Sequence, residues 1–560
     1  MCTSKTSARA PTRAPLLLVL ATSQLCRLDL LAPPSLDAKM SEASPATKTL
    51  AVFLGCISIF AMCGVVFGMP ALYPSLYYRG FYANLCTDSD QCLQADTRGK
   101  CCEAQFVRIG LTSSTTFFIA DAAAGFWGEY VDRAGAWSCF SHASSGCIGG
   151  FILLGFSLWP SPVLSYLRDF TATTAFAILG LSGPGVFNGV YVGCLSIVGS
   201  SSAHVSAFTA FSAACFDGSA LVFALHHLFG VHMRLGLVTM IMVWALLGMG
   251  LRALFLRLLS AEPGHASAGT ELPAGSTPKP KPCSDASPLK AASESSGLLA
   301  DAAPPALPMP PDPDDAPAYN KAAAGGGASA GGVGGVGGLL VGLPASIRAF
   351  CAPRLVSTLL NRVNLAMISL MVSLNLVAAF YLQTQTEQMN LIFSSEESNV
   401  LGEFLEFGFP TVGFISSILA AKFVFEPNHA HELLCWVWPA GLGAAFCLVQ
   451  SVPLLSFQYM AAFIFGPMRT MQWACYFHAL AVAPRYPQAL SGRVLGYNNV
   501  VIALLSDTLP FFLTALTAGD DSTTTSEQAW RYAFVRICLL LPVIATSALL
   551  AHELRRSATT

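Results

Sequence analysis

Three ionisable side chains stand near the middle of long apolar runs: Asp217 in 205–229, Arg469 in 454–481 and Asp507 in 494–518. A charge at the centre of a bilayer costs about 2.5–3.5 kcal/mol on insertion scales, so each must face a cavity or a partner. The guanidinium of Arg469 could hold a carboxylate through two parallel bonds. The carboxylate of Asp217 or Asp507 could meet an ammonium. Together they offer what a zwitterionic solute requires. The ordinary alternative is an Arg469–Asp507 ion pair between neighbouring helices, and the residue types leave both open.

Weaker candidates surround these three. Gly64, Gly68 and Pro70 interrupt the first apolar run, and Ser182-Gly-Pro-Gly185 interrupts the fourth. Backbone amides freed at such breaks can bind a carboxylate, although breaks also serve as hinges or tight crossings. We therefore take Gly68 and Ser182 as candidate contacts. Asn361, Asn364 and Asn375, with Asn498 and Asn499, could line a cavity or bond between helices. Asp121, Glu403 and Glu406 could carry a proton if burial raises their affinity for it. His226 and His227 are expected at the outer interface.

The elements that must position these groups follow from composition. Of 560 residues, Lys and Arg number 30 and Asp and Glu 32, so 11% are charged, against about 25% in soluble domains. Apolar residues make up 54% and mean hydropathy is +0.57. This excludes a soluble multidomain enzyme, and a net charge of −2 offers no basic surface for nucleic acid. A spanning helix needs about 20 mostly apolar residues. Twelve runs qualify: 49–74, 105–128, 137–159, 171–195, 205–229, 235–259, 355–382, 399–424, 432–451, 454–481, 494–518 and 529–552. The expected fold is all-α and polytopic, with twelve transmembrane helices in two six-helix bundles.

The bundles are expected over 49–259 and 351–552, flanked by tails 1–48 and 553–560. Between them, 260–350 is rich in Pro, Ala, Gly and Ser and is expected to be a disordered linker. Lys and Arg concentrate beside the termini and this linker, which places all three in the cytosol. Loop 79–104, with Arg79, Arg98 and Lys100, is the exception. Residues 1–39 are expected to be a cytosolic tail, or to precede a start at Met40, with a targeting segment as the alternative. Gly183-Pro184 and Gly466-Pro467 are offset by 283 residues, and Asp217 and Asp507 by 290, which suggests a parallel repeat of the two halves.

Four of the 18 cysteines, Cys86, Cys92, Cys101 and Cys102, crowd the first loop expected outside the cell. Such clusters usually pair, and two disulfides are expected, their connectivity open. No Cys-x-x-Cys is present, so no metal is expected. Phosphate-loop, metal-helix and nucleophile-elbow signatures are absent, so neither a cofactor nor enzymatic activity is expected.

Gly128-Glu-Tyr-Val-Asp132-Arg133-Ala-Gly135, between the second and third runs, resembles the loop signature of the major facilitator superfamily, Gly-x-x-x-Asp-(Arg/Lys)-x-Gly. Gly128 would allow close helix approach, and Asp132 could sit at a helix N-terminus or pair with an Arg of the other bundle. Arg133 would hold the cytosolic interface. The matching loop of the second half, Lys422-Phe-Val-Phe-Glu426, lacks the Asp. Further stretches resemble the L-type amino-acid transporter-like family (solute carrier family forty-three) and its apicomplexan amino-acid transporter relatives. They are Gly64-Val-Val-Phe67-Gly68-Met-Pro70, Phe216-Asp217-Gly-Ser219, Arg469-Thr470, Tyr486-Pro487 through Gly492-Arg493 to Gly496, and Ser506-Asp507. Asp507 stands where that family would carry a neutral polar residue. The resemblance implies facilitated or coupled movement of amino acids without ATP. The expected protein is a monomer of the plasma membrane, or of an internal organelle membrane, that moves L-amino acids by alternating access, large neutral or aromatic ones first and cationic ones second because of the spare acids, by uniport, exchange or proton coupling. A nucleobase, sugar or other metabolite carrier, and a non-transporting receptor or membrane enzyme, are the competing expectations.

Overall fold

The computed structural model describes residues 44–86, 103–159, 167–198, 202–225, 236–260, 353–423, 431–482, 485–487, 490–517 and 524–559. The expectations for the linker, for residues 1–39, for Cys92, Cys101 and Cys102, and for His226 and His227 lie outside them. No strand occurs among the described residues, and helix occupies part of every one of the twelve apolar runs.

We number the helices of these runs α1 (Pro45–Met62), α2 (Glu103–Ala134), α3 (Ala136–Ser157), α4 (Arg168–Val198), α5 (Ser202–Gly218), α6 (Leu237–Ser260), α7 (Arg362–Ile392), α8 (Ser395–Phe423), α9 (His431–Gln450), α10 (Leu455–Val482), α11 (Ser491–Ile502) and α12 (Thr525–Thr559). Among the described residues nine helices are long and apolar enough to cross a membrane. With the twelve alternating crossings that the sequence predicts, the start of α1 and the end of α12 share one end of the molecule, called the terminal end.

Local chemistry sets several boundaries. Ser44 caps α1, accepting from the Thr47 amide at 3.2 Å, and Pro45 opens the helix where its missing N–H costs nothing. Beyond Met62 the chain tightens into a 3₁₀ stretch, Val65–Leu72, containing Pro70. α8 begins at Ser395 behind a reciprocal box: the Ser394 amide donates to Glu397 Oε2 (3.1 Å) and the Glu397 amide to Ser394 Oγ (3.4 Å). Glu403 and Glu406 therefore lie inside α8.

α4 corrects an expectation. It runs unbroken from Arg168 to Val198 with Pro184 inside it, so the Ser182–Gly185 stretch frees no run of amides. α11 is irregular instead: it passes through a π-helical turn, Ala503–Asp507, before Leu509–Thr517 completes the span. At the far end, Arg79 is held within the first bundle. Its Nη1 donates to the Leu158 carbonyl (2.7 Å), and Arg168 Nη1 donates to the Arg79 carbonyl (2.6 Å). Those bonds give the arginine of this loop its partners within the first bundle.

The bundles meet along two seams, α2 against α11 and α5 against both α8 and α10. The helices on both sides of 264–348 form one compact unit.

Candidate functional site

The α2–α11 seam is built on glycine. A Cβ on Gly128 would lie 2.0 Å from the Gly492 carbonyl oxygen, and one on Gly496 2.5 Å from that of Ala124. Gly125 also faces this seam, so small residues spaced three and four apart let the two backbones touch. At the terminal end of the seam Asp132 Oδ2 accepts from the Arg493 amide (3.1 Å) and lies 3.5 Å from Arg493 Nε. The carboxylate thus sits at the N-terminus of α11 and beside a cation of the opposite bundle. Arg133, largely exposed, pairs with Glu129 one turn back. Gly135, with φ 86° and open space around it, makes the left-handed turn from α2 into α3.

Halfway along the molecule, Arg469 of α10 and Asp217 of α5 form a fully buried ion pair between the bundles, Nε to Oδ1 3.3 Å. The guanidinium also lies over the Phe67 ring at 4.6 Å, the geometry of a cation–π contact. Phe67 stacks on Phe117 (5.1 Å) and leans on Phe216 (5.7 Å), which reaches Trp473 of α10 (6.4 Å). The neighbouring Phe187–Phe477 contact (4.6 Å) and the Tyr191 hydroxyl donating to the Phe477 carbonyl (2.8 Å) continue this aromatic wall across the seam. Trp473 Nε1 and both amide atoms of Gln472 are buried without hydrogen-bond partners. Unpaired polar atoms in so apolar a setting cost free energy unless water or a ligand meets them.

Asp507, at the end of the π turn, accepts at Oδ1 from Asn375 Nδ2 (3.2 Å) and Ser506 Oγ (3.2 Å). Its Oδ2 is buried without a hydrogen-bond partner, and α2, which carries the buried Asp121, packs against this turn. Arg469 is thus paired with Asp217 rather than with Asp507, its sequence-nearer acid.

The other candidates scatter. Gly68 packs against the Ala220 carbonyl, where a Cβ would lie 2.2 Å away. Ser182 Oγ faces Gly146 of α3, inside the first bundle. Asn361 is exposed and caps α7, accepting from the Val363 amide (2.9 Å). Asn498 exchanges amide bonds with Asn364 of α7 (3.1 and 3.2 Å), tying α7 to α11. Gln472 and Trp473 carry no signal in the sequence, and Phe67 and Arg493 stand in quoted stretches without a role of their own. The Gly492–Gly496 spacing facing Gly125 and Gly128 was the available signal for the seam, and Arg493 follows it directly.

No family model and no curated protein matches the sequence. Among solved structures, the human organic anion transporter MFSD10 (TETRAN) superposes with a TM-score of 0.55 at 13% identity, covering 91% of this chain and 100% of that one. The proton:xylose symporter XylE bound to 6-bromo-6-deoxy-D-glucose gives 0.48 at 13%, covering 89% and 94%. Helix in all twelve apolar runs, two seams between bundles and the full-length superposition on MFSD10 lead to one conclusion: the chain has the all-α fold of the major facilitator superfamily.

Proposed function

We propose that the protein moves L-amino acids across a membrane by alternating access, the bundles 49–259 and 351–552 rocking about the centre occupied by Arg469. The observation that carries this reading is the buried guanidinium held between the bundles by Asp217 and faced by Phe67. A substrate carboxylate would take up the fork of Arg469, its ammonium would meet Asp217, and an aromatic or large apolar side chain would lie against Phe67, Phe216 and Trp473. Exchanging the Arg469–Asp217 pair for bonds to the substrate would loosen one contact between bundles as the solute binds, which couples occupancy to rocking. Large neutral and aromatic amino acids come first and cationic ones second. Gly128, Asp132, Arg133 and Gly135 form the gate at the terminal end. We further propose that the protein is a plasma-membrane monomer, with termini and linker in the cytosol and two disulfides among Cys86, Cys92, Cys101 and Cys102.

Uptake of labelled phenylalanine by transport-deficient cells tests this reading. Expression should raise saturable uptake, competed by leucine and tyrosine. Uptake no greater than in empty cells rejects it. An organic anion is the second reading, supported by Arg469 as the one cation of the central cluster among the described residues and by the similarity to an organic anion transporter. It predicts competition by monocarboxylates that lack an amine, whereas the amino-acid reading predicts none.

A further inference from the structure

Among the described residues two cationic side chains are buried, Arg469 and Arg536. Arg469 has Asp217. Arg536, on α12 and 4% exposed, has no carboxylate partner among the described residues. Glu387 of α7 is engaged elsewhere, by Gln528 Nε2 of α12 at 3.1 Å. Arg536 Nη1 donates to the carbonyl of Gln450, the last residue of α9. Its Nε and Nη2 are buried without a hydrogen-bond partner, and so are Gln450 Nε2 and the Tyr532 hydroxyl, one turn before Arg536. Gln458 of α10 closes the group. Its Nε2 donates to the carbonyls of Gln450 (3.1 Å) and Val452 (2.7 Å), and its Oε1 has no partner. The three open nitrogens only donate and the hydroxyl can donate, against that one open acceptor. The end of α9 supplies about half a negative charge. A guanidinium that never deprotonates is thus buried with part of its charge uncompensated, which is costly in apolar surroundings.

We propose that Arg536, Gln450 and Tyr532 form a binding site for one small monovalent anion of the size of chloride, set inside the second bundle. Nε and Nη2 present two parallel N–H groups along one edge of the guanidinium. Gln450 Nε2 and the Tyr532 hydroxyl add donors from α9 and α12. One negative charge balances the one guanidinium, whereas a divalent anion would exchange an excess of positive charge for an excess of negative charge. The anion joins α9 to α12 beside Gln458 of α10. All three helices belong to one bundle, so the anion stays in place when the bundles rock. It is a ligand that stabilises the second bundle and not a cargo. The site is separate from the Arg469–Asp217 pair and does not depend on the function proposed above.

Thermal unfolding of the purified full chain, without substrate, tests the site. Sodium chloride or sodium bromide replaces sodium gluconate at constant ionic strength and pH. An anion that binds only the folded protein raises the unfolding midpoint once its concentration passes the dissociation constant. The wild-type midpoint should rise saturably with chloride and with bromide. In Arg536→Gln it should not respond to either. Tyr532→Phe removes one donor and keeps the ring, so the half-saturating chloride concentration should rise about 10-fold or more. A wild-type midpoint equal in chloride and gluconate overturns the proposal, as does a full chloride response in Arg536→Gln. If Arg536→Gln does not fold, Tyr532→Phe decides: a half-saturating concentration unchanged from wild type overturns the site, and the expected rise supports it.

Discussion

Asp217 and Arg469 are 252 residues apart in sequence and form a buried ion pair that belongs to neither bundle alone. Its Oδ1–Nε separation is 3.3 Å, while Asp217 Oδ2 is buried with no hydrogen-bond partner. A buried pair with spare bonding capacity on one partner is poorly optimised for stability, because desolvating two charges is repaid only when every remaining site is satisfied. Such a pair is better suited to exchange partners than to hold a fold together.

Removing one partner therefore harms more than removing both. Asp217→Asn leaves an uncompensated guanidinium and should destabilise the purified protein by about 3–5 kcal/mol. The double variant Asp217→Asn/Arg469→Gln should recover part of that loss. A double-mutant cycle on thermal unfolding measures the coupling, and additive losses would show that the two side chains do not interact.

At Arg469 itself, Arg469→Lys keeps the charge and loses the planar fork. A charge-assisted bond contributes about 1.5–3 kcal/mol, so the apparent KM for phenylalanine should rise about 10- to 100-fold with surface expression maintained. Unchanged kinetics would remove Arg469 from substrate contact.

The fold was readable because a bilayer dictates span length, and the twelve apolar runs announce themselves through hydropathy alone. Residues at the turn from α2 to α3 followed from short-range rules: Asp132 and Gly135 lie in a motif whose parts are seven residues apart at most. The centre was harder. That Asp217, Arg469 and Asp507 had to be sheltered follows from the cost of burying charge, but which acid meets the guanidinium depends on which helices of opposite bundles face each other. Neighbouring position in sequence favours Asp507, and the packing of α5 on α10 selects Asp217. Asn361 shows the converse error: a polar residue counted within a span is a helix cap one residue outside it.

Gly128 tests the seam. A Cβ there would sit 2.0 Å from a backbone oxygen of α11, and backbone cannot rotate aside. Gly128→Ala should force α2 away from α11 at a cost of about 1–3 kcal/mol, favouring conformers open at the terminal end. Labelling of a single cysteine placed near Asp132 should accelerate. Gly492→Ala intrudes on the same contact, so the two effects should fall short of additive.

Asp132 lies beyond the apolar run 105–128, at the mouth of that seam, where pH becomes a readout. Burial against α11 pushes its carboxyl up to about 6, despite the Arg493 amide, the Arg493 guanidinium and the Gly492 amide, which pull it down; Glu129 adds to the rise. When the seam opens, the carboxyl meets water and returns towards the ordinary value near 4. The closed form then binds the proton more tightly than the open form. Acidification should favour closure between about pH 6 and pH 4, and above about pH 7 the balance should no longer change. Cysteine labelling near the gate should therefore slow as pH falls through 6, after correction for thiol ionisation on a reference cysteine. Asp132→Asn, permanently in the uncharged form, should label at one rate across that range while still accepting the Arg493 amide bond. Asp132→Ala, which loses the acceptor, should label faster than wild type at every pH. A wild-type profile as flat as that of Asp132→Asn would show that the carboxyl does not sense whether α2 and α11 are together.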